Sequence, residues 1–187
     1  MQTTHLYITS KCYHDCPYCC NNNYDIENIP VVTEKEIQDS DMVCLTGGDP
    51  LITTDKIGLT LAKTILKKYN PDTVCIYTSG FGLNVSVLQE INNWNYNTPK
   101  KILLNISPKS FKELLHVHKA LTEGVGALRT KNEQKHRYYH MVENVGFPII
   151  EELYNDSRWD LELIDRPWKK EFTPAPDSIF RRLPILF

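Results

Sequence analysis

Short apolar runs alternate with amphipathic segments along the first 121 residues, and this alternation predicts strands and helices in turn. Four runs rich in Ile, Val, Leu and Tyr predict strands at residues 4–9, 42–46, 73–78 and 101–106. Four amphipathic segments predict helices at residues 33–38, 54–69, 84–94 and 110–121. The second of these is the most regular, because Ile57, Leu61 and Ile65 recur on one face. Thr33 and Glu36 match a capping box, which marks the start of the first helix.

The alternation weakens after Gly126. Residues 130–144 predict a polar helix, residues 147–153 fit a strand or a helix, and residues 159–164 alternate well enough to predict a fifth strand. The last 22 residues are rich in proline, aromatic and basic residues. We therefore predict one domain over residues 1–187, with residues 166–187 as a C-terminal tail packed on it.

Strand–helix alternation of this kind predicts an α/β fold whose strands run parallel. In such folds ligand sites gather at the carboxyl ends of the strands. Each motif described below directly follows a predicted strand. The sequence therefore predicts one functional site at that edge of the sheet.

Charge, apolar runs and cysteine content indicate which partners and which cellular compartment to expect. The formal net charge of −2 predicts no generic attraction to nucleic acid or to an anionic membrane. No apolar run is long enough to cross a bilayer, and the first residues lack the basic and apolar regions of a signal peptide. Six cysteines with metal-like spacing favour a reducing cytoplasm over a disulfide framework. We expect a cytoplasmic protein with neither membrane nor nucleic acid as partner.

Three cysteines follow the first predicted strand at spacings typical of a metal-binding loop: Cys12, Cys16 and Cys19. Soft thiolate ligands favour iron–sulfur clusters, zinc or Cu(I) over hard cations. A structural zinc site and a ferredoxin-type cluster both take four ligands, so three thiolates suit a cluster with one iron left open. A zinc knuckle is the alternative.

The remaining cysteines are weak candidates for a fourth ligand. Cys20 adjoins Cys19, and adjacent side chains rarely point at one metal. Cys44 and Cys75 lie inside apolar strands, where a cysteine behaves as a small hydrophobe. Cys20 also has an alternative reading as a hydrogen-atom donor, although a bystander thiol is the interpretation we prefer.

A second motif, Thr46-Gly47-Gly48-Asp49-Pro50, follows the second predicted strand. Glycines at such a point let backbone approach a ligand without interference from a Cβ atom. A sharp strand-to-helix turn without chemistry would use the same residues.

The two motifs together resemble the radical S-adenosylmethionine (SAM) superfamily. The cysteine spacing is that of the family's cluster loop, and the glycine segment is similar to its Gly-Gly-Glu-Pro segment, with Asp49 in place of glutamate. The resemblance implies a partial, laterally open (β/α)6-type barrel, here trimmed to four or five βα units. It also implies a [4Fe-4S] cluster on the three cysteines that cleaves SAM to methionine and a 5′-deoxyadenosyl radical, with electrons from a reductant such as flavodoxin or ferredoxin.

The resemblance assigns further residues to SAM. Backbone of the glycine segment would line the amino group, Tyr18 would lie near the adenine, and polar residues that end the third and fourth strands would reach the ribose or the carboxylate. The cofactor-binding residues expected on this basis are Tyr18, Gly47, Gly48, Asp49, Pro50, Ser79, Asn105 and Ser107. Lys109 is a candidate partner of a carboxylate, although a solvated lysine at a helix start is the interpretation we prefer.

The substrate remains open between subgroups. Thr78-Ser79-Gly80 and Ser107-Pro108-Lys109 are similar to segments of 7-carboxy-7-deazaguanine synthases, which favours a small purine-like or pterin-like substrate. Small size and Gly-Gly-Asp-Pro resemble the activases of glycyl-radical enzymes, which act on a partner protein, and peptide modification is a further alternative. A non-enzymatic iron–sulfur or zinc module is the alternative from another class.

Two further groups of residues have possible functional roles, but we favour a structural interpretation for both. His136 and His140 are spaced to share one helical face, which we expect to be solvated. Basic and aromatic residues near the C-terminus suit a nucleic-acid or protein surface, but we favour a packed tail. The basic residues are Arg166, Lys169, Lys170, Arg181 and Arg182.

Overall fold

The fold is α/β, and the residues that the structure describes form one sheet of seven parallel strands. This computed structural model describes residues 2–16, 19–23, 25–52, 56–69, 71–123, 135–141, 160–166 and 177–184. The strands are β1 (Thr3–Thr9), β2 (Met42–Gly47), β3 (Thr73–Thr78), β4 (Lys101–Ile106), β5 (His136–Met141), β6 (Leu161–Arg166) and β7 (Ser178–Arg182). The helices are α1 (Cys20–Asn23), α2 (Glu34–Gln38), α3 (Ile57–Lys68), α4 (Val85–Asn97) and α5 (Phe111–Glu123), with a 3-10 turn at Ile26–Asn28.

The strand order across the sheet is β6-β5-β4-β3-β2-β1-β7, and every pairing is parallel. The first six strands therefore follow one another across the sheet, whereas β7 pairs with the far side of β1. The chain enters each of β1–β4 at one edge and leaves it at the other, so the loops after these strands share the carboxyl edge.

The two faces of the sheet differ in chemistry because side chains alternate along each strand. One face carries apolar side chains such as Leu45, Ile76 and Leu104, which pack with α3, α4 and α5 in the main core. On the other face Cys44 and Cys75 are in register and are buried beside Leu103. Polar residues follow on that second face toward the carboxyl edge.

The structure confirms most of the first 121 residues of the prediction. The predicted bounds of β3 and β4 agree with the structure, and β1, β2, α3, α4 and α5 differ from it by one to three residues at their ends. The capping box is present, with Thr33 accepting from the Glu36 N–H and the Glu36 carboxylate accepting from the Thr33 N–H. None of the helices in the described ranges is both long and apolar enough to cross a membrane.

The predicted polar helix over residues 130–144 is wrong for residues 135–141, which are the part of that range that the structure describes. Residues 136–141 form β5, and His136 and Tyr138 are buried on the helix-packed face with 0% and 1% exposure. His136 therefore does not lie on a solvated helical face. The predicted fifth strand at residues 159–164 is present as β6, shifted by two residues.

The C-terminal segment contains a strand that the sequence did not predict. Ser178–Arg182 pairs with β1 along its length, from Thr3 with Ser178 to Tyr7 with Arg182. Arg181 donates to Glu36, and Arg182 donates to the Ile29 carbonyl oxygen. Two basic residues of the predicted tail are thus bound within the fold, while residues 147–153 and 167–176 lie outside the described ranges.

Candidate functional site

The three motif cysteines lie in the loop that leaves the carboxyl end of β1. Cys12, Cys16 and Cys19 are each half-buried, so their thiols border both the protein and the solvent. The loop turns at its end, where the Cys19 N–H donates to the Cys16 carbonyl oxygen at 3.0 Å. The Asn21 N–H points at the Cys19 sulfur, 3.4 Å away. Tyr18, the predicted neighbour of adenine, is outside the described residues.

The thiols influence one another electrostatically. The pKa of Cys16 is raised to about 11, chiefly by burial; Lys109 opposes this rise, and the charges of Cys19, Cys12 and Glu113 add to it. Burial likewise raises the pKa of Cys12, with Cys19 among the contributing charges. Thiols with raised pKa values stay protonated at neutral pH, so a bound cation would have to displace their protons. At neutral pH the thiols of Cys12 and Cys16 are therefore protonated, and their charges in the thiolate form would influence each other and Cys19.

No set of three or more His, Cys, Asp and Glu side chains in the described ranges converges on one metal ion. A single zinc ion needs such convergence, because its ligands share one centre. In a cubane cluster each thiolate binds a different iron, so its ligands lie further apart. Within the described ranges, the three thiols are therefore not placed as ligands of one shared ion.

Two of the three candidates for a fourth ligand are occupied elsewhere. Cys44 and Cys75 are 2% and 3% exposed, hydrogen-bond each other and pack against Leu103. Their burial among apolar side chains confirms their interpretation as core residues. The side chain of Cys20 is not described.

The glycine segment packs directly against the start of the cysteine loop. The Gly48 N–H donates to the Thr9 carbonyl oxygen at 2.6 Å, and the Asp49 N–H donates to the Lys11 carbonyl oxygen at 2.8 Å. A Cβ atom on Gly48 would lie 2.0 Å from the Lys11 oxygen. Gly47 has a φ of +119°, and a Cβ there would lie 2.3 Å from the Thr9 oxygen. Only glycine permits this approach, so the two motifs form one unit.

The Asp49 side chain ties the glycine segment to the end of β3. It is 1% exposed and accepts from the Leu51 N–H at 3.0 Å, the Thr78 hydroxyl at 2.8 Å, the Ser79 N–H at 2.9 Å and the Ser79 hydroxyl at 2.7 Å. The bond to Leu51 closes an Asx turn, which a short side chain forms readily. Asp49 and Ser79 therefore bind each other through their side chains, whereas Pro50 is buried and its carbonyl oxygen accepts from the Gly58 N–H at 3.0 Å.

The residues predicted at the end of β4 lie in two environments. Asn105 is 3% exposed and hydrogen-bonds Tyr77 on the face that carries the buried cysteine pair. Ser107 is half-buried beyond the strand and accepts from the Lys109 ammonium at 2.7 Å. Lys109 is half-buried, and its charge is near enough to Cys16 to oppose the rise in the pKa of that thiol.

A buried contact between the cysteine loop and α5 was not predicted. His14, which lies between Cys12 and Cys16, contacts the carboxylate of Glu113 through its Nε2 atom. The Glu113 side chain is 2% exposed and also accepts from the Lys109 N–H at 2.6 Å. The sequence contained one indication of this contact. Glu113 lies on the same face of α5 as the buried Leu114, and a carboxylate on a buried face requires a polar partner.

The asparagines after Cys20 brace the same loop. The Tyr7 hydroxyl donates to the Asn21 Oδ1 atom at 3.0 Å, and the Asn21 amide donates to the Ser10 carbonyl oxygen at 3.1 Å. Asn22 donates to Asp15 and to the Cys16 carbonyl oxygen. Asn21 and Asn22 lie in α1, and their side chains hold the cysteine loop at Ser10, Asp15 and Cys16.

Comparison with models of known protein families finds no match to this chain, and comparison with curated proteins finds none either. The functional argument therefore depends on the residues and their geometry.

Proposed function

We propose that the protein is a radical SAM enzyme. Its three motif cysteines would hold a [4Fe-4S] cluster by three of its irons, and the fourth iron would bind the amino and carboxylate groups of SAM. The parallel, open sheet is compatible with the partial (β/α)6-type barrel of that superfamily. When bound, the cluster and SAM supply the electron transfer that yields methionine and a 5′-deoxyadenosyl radical, which abstracts hydrogen from the substrate.

The observation that carries the proposal is the joining of the two motifs at one edge of the sheet. Two backbone hydrogen bonds, from Gly48 to Thr9 and from Asp49 to Lys11, fasten the glycine segment to the cysteine loop. The motifs are about 30 residues apart in the sequence, and each has a separate structural explanation as a turn. Their direct contact supports a shared ligand, which neither turn alone would require.

The chain's own groups have distinct roles in this proposal. The amides of Gly48 and Asp49 already donate, and the carbonyl oxygens of Asp49 and Pro50 already accept from Ile52 and Gly58, so we assign the Gly48 carbonyl oxygen to the SAM ammonium. Lys109 supplies a positive charge beside the loop for the methionyl carboxylate. Asp49 and Ser79 keep the segment in place through their mutual hydrogen bonds, and backbone is the part of each that we assign to SAM.

The proposed substrate is a small purine-like or pterin-like molecule. The sheet face opposite the helices carries polar residues near the carboxyl edge, where Tyr77 pairs with Asn105 and Asn105 with Arg137 in register. Arg137 in turn is 3.2 Å from Glu162 on β6. Amide, phenol and guanidinium groups in one row offer the donors and acceptors that a heterocycle requires.

Anaerobic reconstitution tests the proposal. The protein is loaded with iron and sulfide, reduced with dithionite and assayed for 5′-deoxyadenosine in the presence of SAM. Cys16→Ala should lose the cluster and all SAM cleavage. Cys44→Ala, which removes a buried thiol outside the loop, is the matched control and should retain iron.

The outcomes separate the proposed enzyme from a binding module. A stable cluster without any 5′-deoxyadenosine would favour an iron–sulfur module, and tight zinc without iron would favour a structural site. Wild-type SAM cleavage by Cys16→Ala would contradict the assignment of Cys16 as a cluster ligand.

A further inference from the structure

We propose that the buried carboxylate of Glu113 lowers the reduction potential of the cluster that the cysteine loop would hold. This inference rests on the proposed function, because it assigns a further residue to the centre that would cleave SAM. Glu113 touches neither the cofactor nor the reacting atoms in this scheme. It is a positioning residue whose charge acts through the ligands.

The Glu113 carboxylate lies between α5 and the cysteine loop and is fixed there by both of its oxygen atoms. It is 2% exposed, and one oxygen contacts the Nε2 atom of His14, a residue between two of the proposed ligands. The other oxygen accepts from the Lys109 N–H at 2.6 Å and from the Ser110 hydroxyl at 3.5 Å. The negative charge therefore has a defined position beside the loop.

The start of α5 explains a polar residue at this position but does not require a buried charge. Ser110 and Glu113 have the spacing of a capping box, and the Glu113 N–H donates to the Ser110 hydroxyl oxygen at 3.3 Å. Glutamine occurs in capping boxes as glutamate does, whereas burial of a carboxylate costs much more than burial of an amide. The dipole of the helix offsets only part of that cost. The charge therefore indicates a role beyond the helix cap.

The charge of Glu113 acts on two of the three proposed ligands. The pKa values of Cys12 and Cys16 are both raised, chiefly by burial, and the Glu113 charge adds to each rise. The same charge adds to the rise that burial causes in the pKa of Tyr138, a core phenol that is 1% exposed. Buried charges are screened less than exposed ones, so this carboxylate influences the loop more than a surface carboxylate does.

Two other groups act on the sulfurs in the opposite sense. The charge of Lys109 opposes the rise in the pKa of Cys16. The His14 N–H hydrogen-bonds the Cys12 sulfur and opposes the rise in the pKa of that thiol. Both groups favour negative charge on the loop, whereas Glu113 disfavours it. The potential of a cluster on these sulfurs would reflect that balance.

Two further carboxylates lie near the loop and are less suitable for this role. Asp49 adds to the rise in the pKa of Cys12, but its hydrogen bonds also hold the glycine segment, so its removal changes more than charge. Asp15 adjoins Cys16 but is exposed, so solvent and salt screen it. Glu113 is therefore the carboxylate whose charge is best tested alone.

A fixed negative charge beside a cluster disfavours reduction, because the cluster becomes more negative when it gains an electron. The potentials of iron–sulfur clusters respond to charge, hydrogen bonding and exposure around their sulfurs. The Glu113 carboxylate would therefore make the reduced cluster a stronger donor of its one electron to the SAM sulfonium. The same charge would make the cluster harder to reduce in the first place.

Redox titration of the reconstituted protein, followed by electron paramagnetic resonance, tests the inference. Glu113→Gln keeps the shape of the side chain and removes its charge, so the equilibrium constant for reduction should rise about tenfold, or about 59 mV for a one-electron couple. Glu123→Gln, at an exposed position of the same helix, is the matched control and should leave the potential unchanged. Asp15→Asn, which removes an exposed charge from the loop itself, should shift the constant by less than about threefold.

His14→Gln separates the effect of charge from that of loop placement. This variant keeps the Glu113 carboxylate and a side-chain N–H donor, so the potential should stay at the wild-type value or fall. A pair that only held the loop in place would shift the potential in the same direction when either residue was replaced.

The outcomes distinguish this inference from the proposed function. A wild-type potential in Glu113→Gln, loss of the cluster from that variant, or equal rises in Glu113→Gln and in His14→Gln or Glu123→Gln would overturn the role of the charge. A rise confined to Glu113→Gln, in a protein that forms no 5′-deoxyadenosine, would instead overturn the proposed function and leave the effect of the charge in place. Failure of the wild-type protein to assemble any cluster would overturn both.

Discussion

Asp49 offers the sharpest test of how the candidate site is built. Its carboxylate is 1% exposed and accepts four hydrogen bonds, two of them from backbone N–H groups of Leu51 and Ser79 that have fixed positions. A buried donor left without a partner costs about 1–3 kcal/mol. Asp49→Ala orphans two such amides, whereas the hydroxyls of Thr78 and Ser79 are able to rotate toward other acceptors.

The loss expected for Asp49→Ala is therefore about 3 kcal/mol, because the wild-type protein also bears the cost of burying the carboxylate. For a chain of 187 residues, each kcal/mol corresponds to roughly 2–4 °C in Tm, so the melting point should fall by about 6–12 °C. Urea and thermal unfolding followed by far-ultraviolet circular dichroism measure both quantities. Asp41→Ala is the matched control, because Asp41 accepts one exposed hydrogen bond from Gln2 and should cost less than about 1 kcal/mol.

A second variant tests whether the site requires the short side chain of an aspartate. Asp49→Glu adds one methylene to a buried site and opens the Asx turn to Leu51, so it should destabilise the protein by about 1–3 kcal/mol. If both Asp49 variants unfold within 1 kcal/mol of Asp41→Ala, the carboxylate does not hold the segment and the reasoning fails.

Three further predictions follow from buried groups. Burial lowers the pKa of His136 to about 4, so as the pH falls the unfolded chain binds a proton at this histidine before the folded chain does. The folded protein should therefore lose up to about 3 kcal/mol of stability between pH 6.5 and pH 4. His136→Asn, but not His118→Gln, should reduce this pH dependence of the urea unfolding midpoint. Glu113→Gln should loosen its contact with His14 and increase hydrogen–deuterium exchange in the loop at residues 12–16; unchanged exchange would mean that the contact does not hold the loop. Gly48→Ala places a Cβ atom 2.0 Å from a carbonyl oxygen and should reduce the iron bound after reconstitution, whereas wild-type iron content would show that the two loops separate without harm.

The elements that the sequence predicted well are those whose local pattern and tertiary environment agree. β3 and β4 are buried on both faces and read as continuous apolar runs, which a parallel sheet requires. The capping box at Thr33 uses only groups within four residues, so no distant contact was needed to recognise it.

β5 was missed because its buried residues are polar or aromatic. His136 accepts from the Leu104 N–H at 3.0 Å through its Nδ1 atom, which lets a histidine occupy a core position. Alternation of buried His136 and Tyr138 with half-exposed Arg137 is a strand pattern, but hydrophobicity alone does not reveal it. The helix predicted there depended on polarity, which tertiary contacts overrode.

The contacts that assemble the candidate site also could not be predicted from local sequence patterns. Asp49 meets Thr78 across 29 residues, and His14 meets Glu113 across 99. Neither pair can be recognised from the sequence, because a carboxylate in a loop and a histidine beside cysteines each have many possible partners. The motifs thus predicted which segments matter, while the side chains that connect them emerged only from the fold.

These connections bear on whether the cysteine loop needs a metal to take its shape. Three independent ties reach it within the protein: backbone bonds from the glycine segment at its start, the Glu113 carboxylate at His14 in its middle, and Asn21 at its end. A loop that a metal alone ordered would not require such ties, since metal binding would supply the free energy of folding. Because these ties use atoms other than the thiols, they orient the loop without depending on its sulfurs. Burial raises the pKa values of Cys12 and Cys16, so a bound metal centre would have to displace their protons.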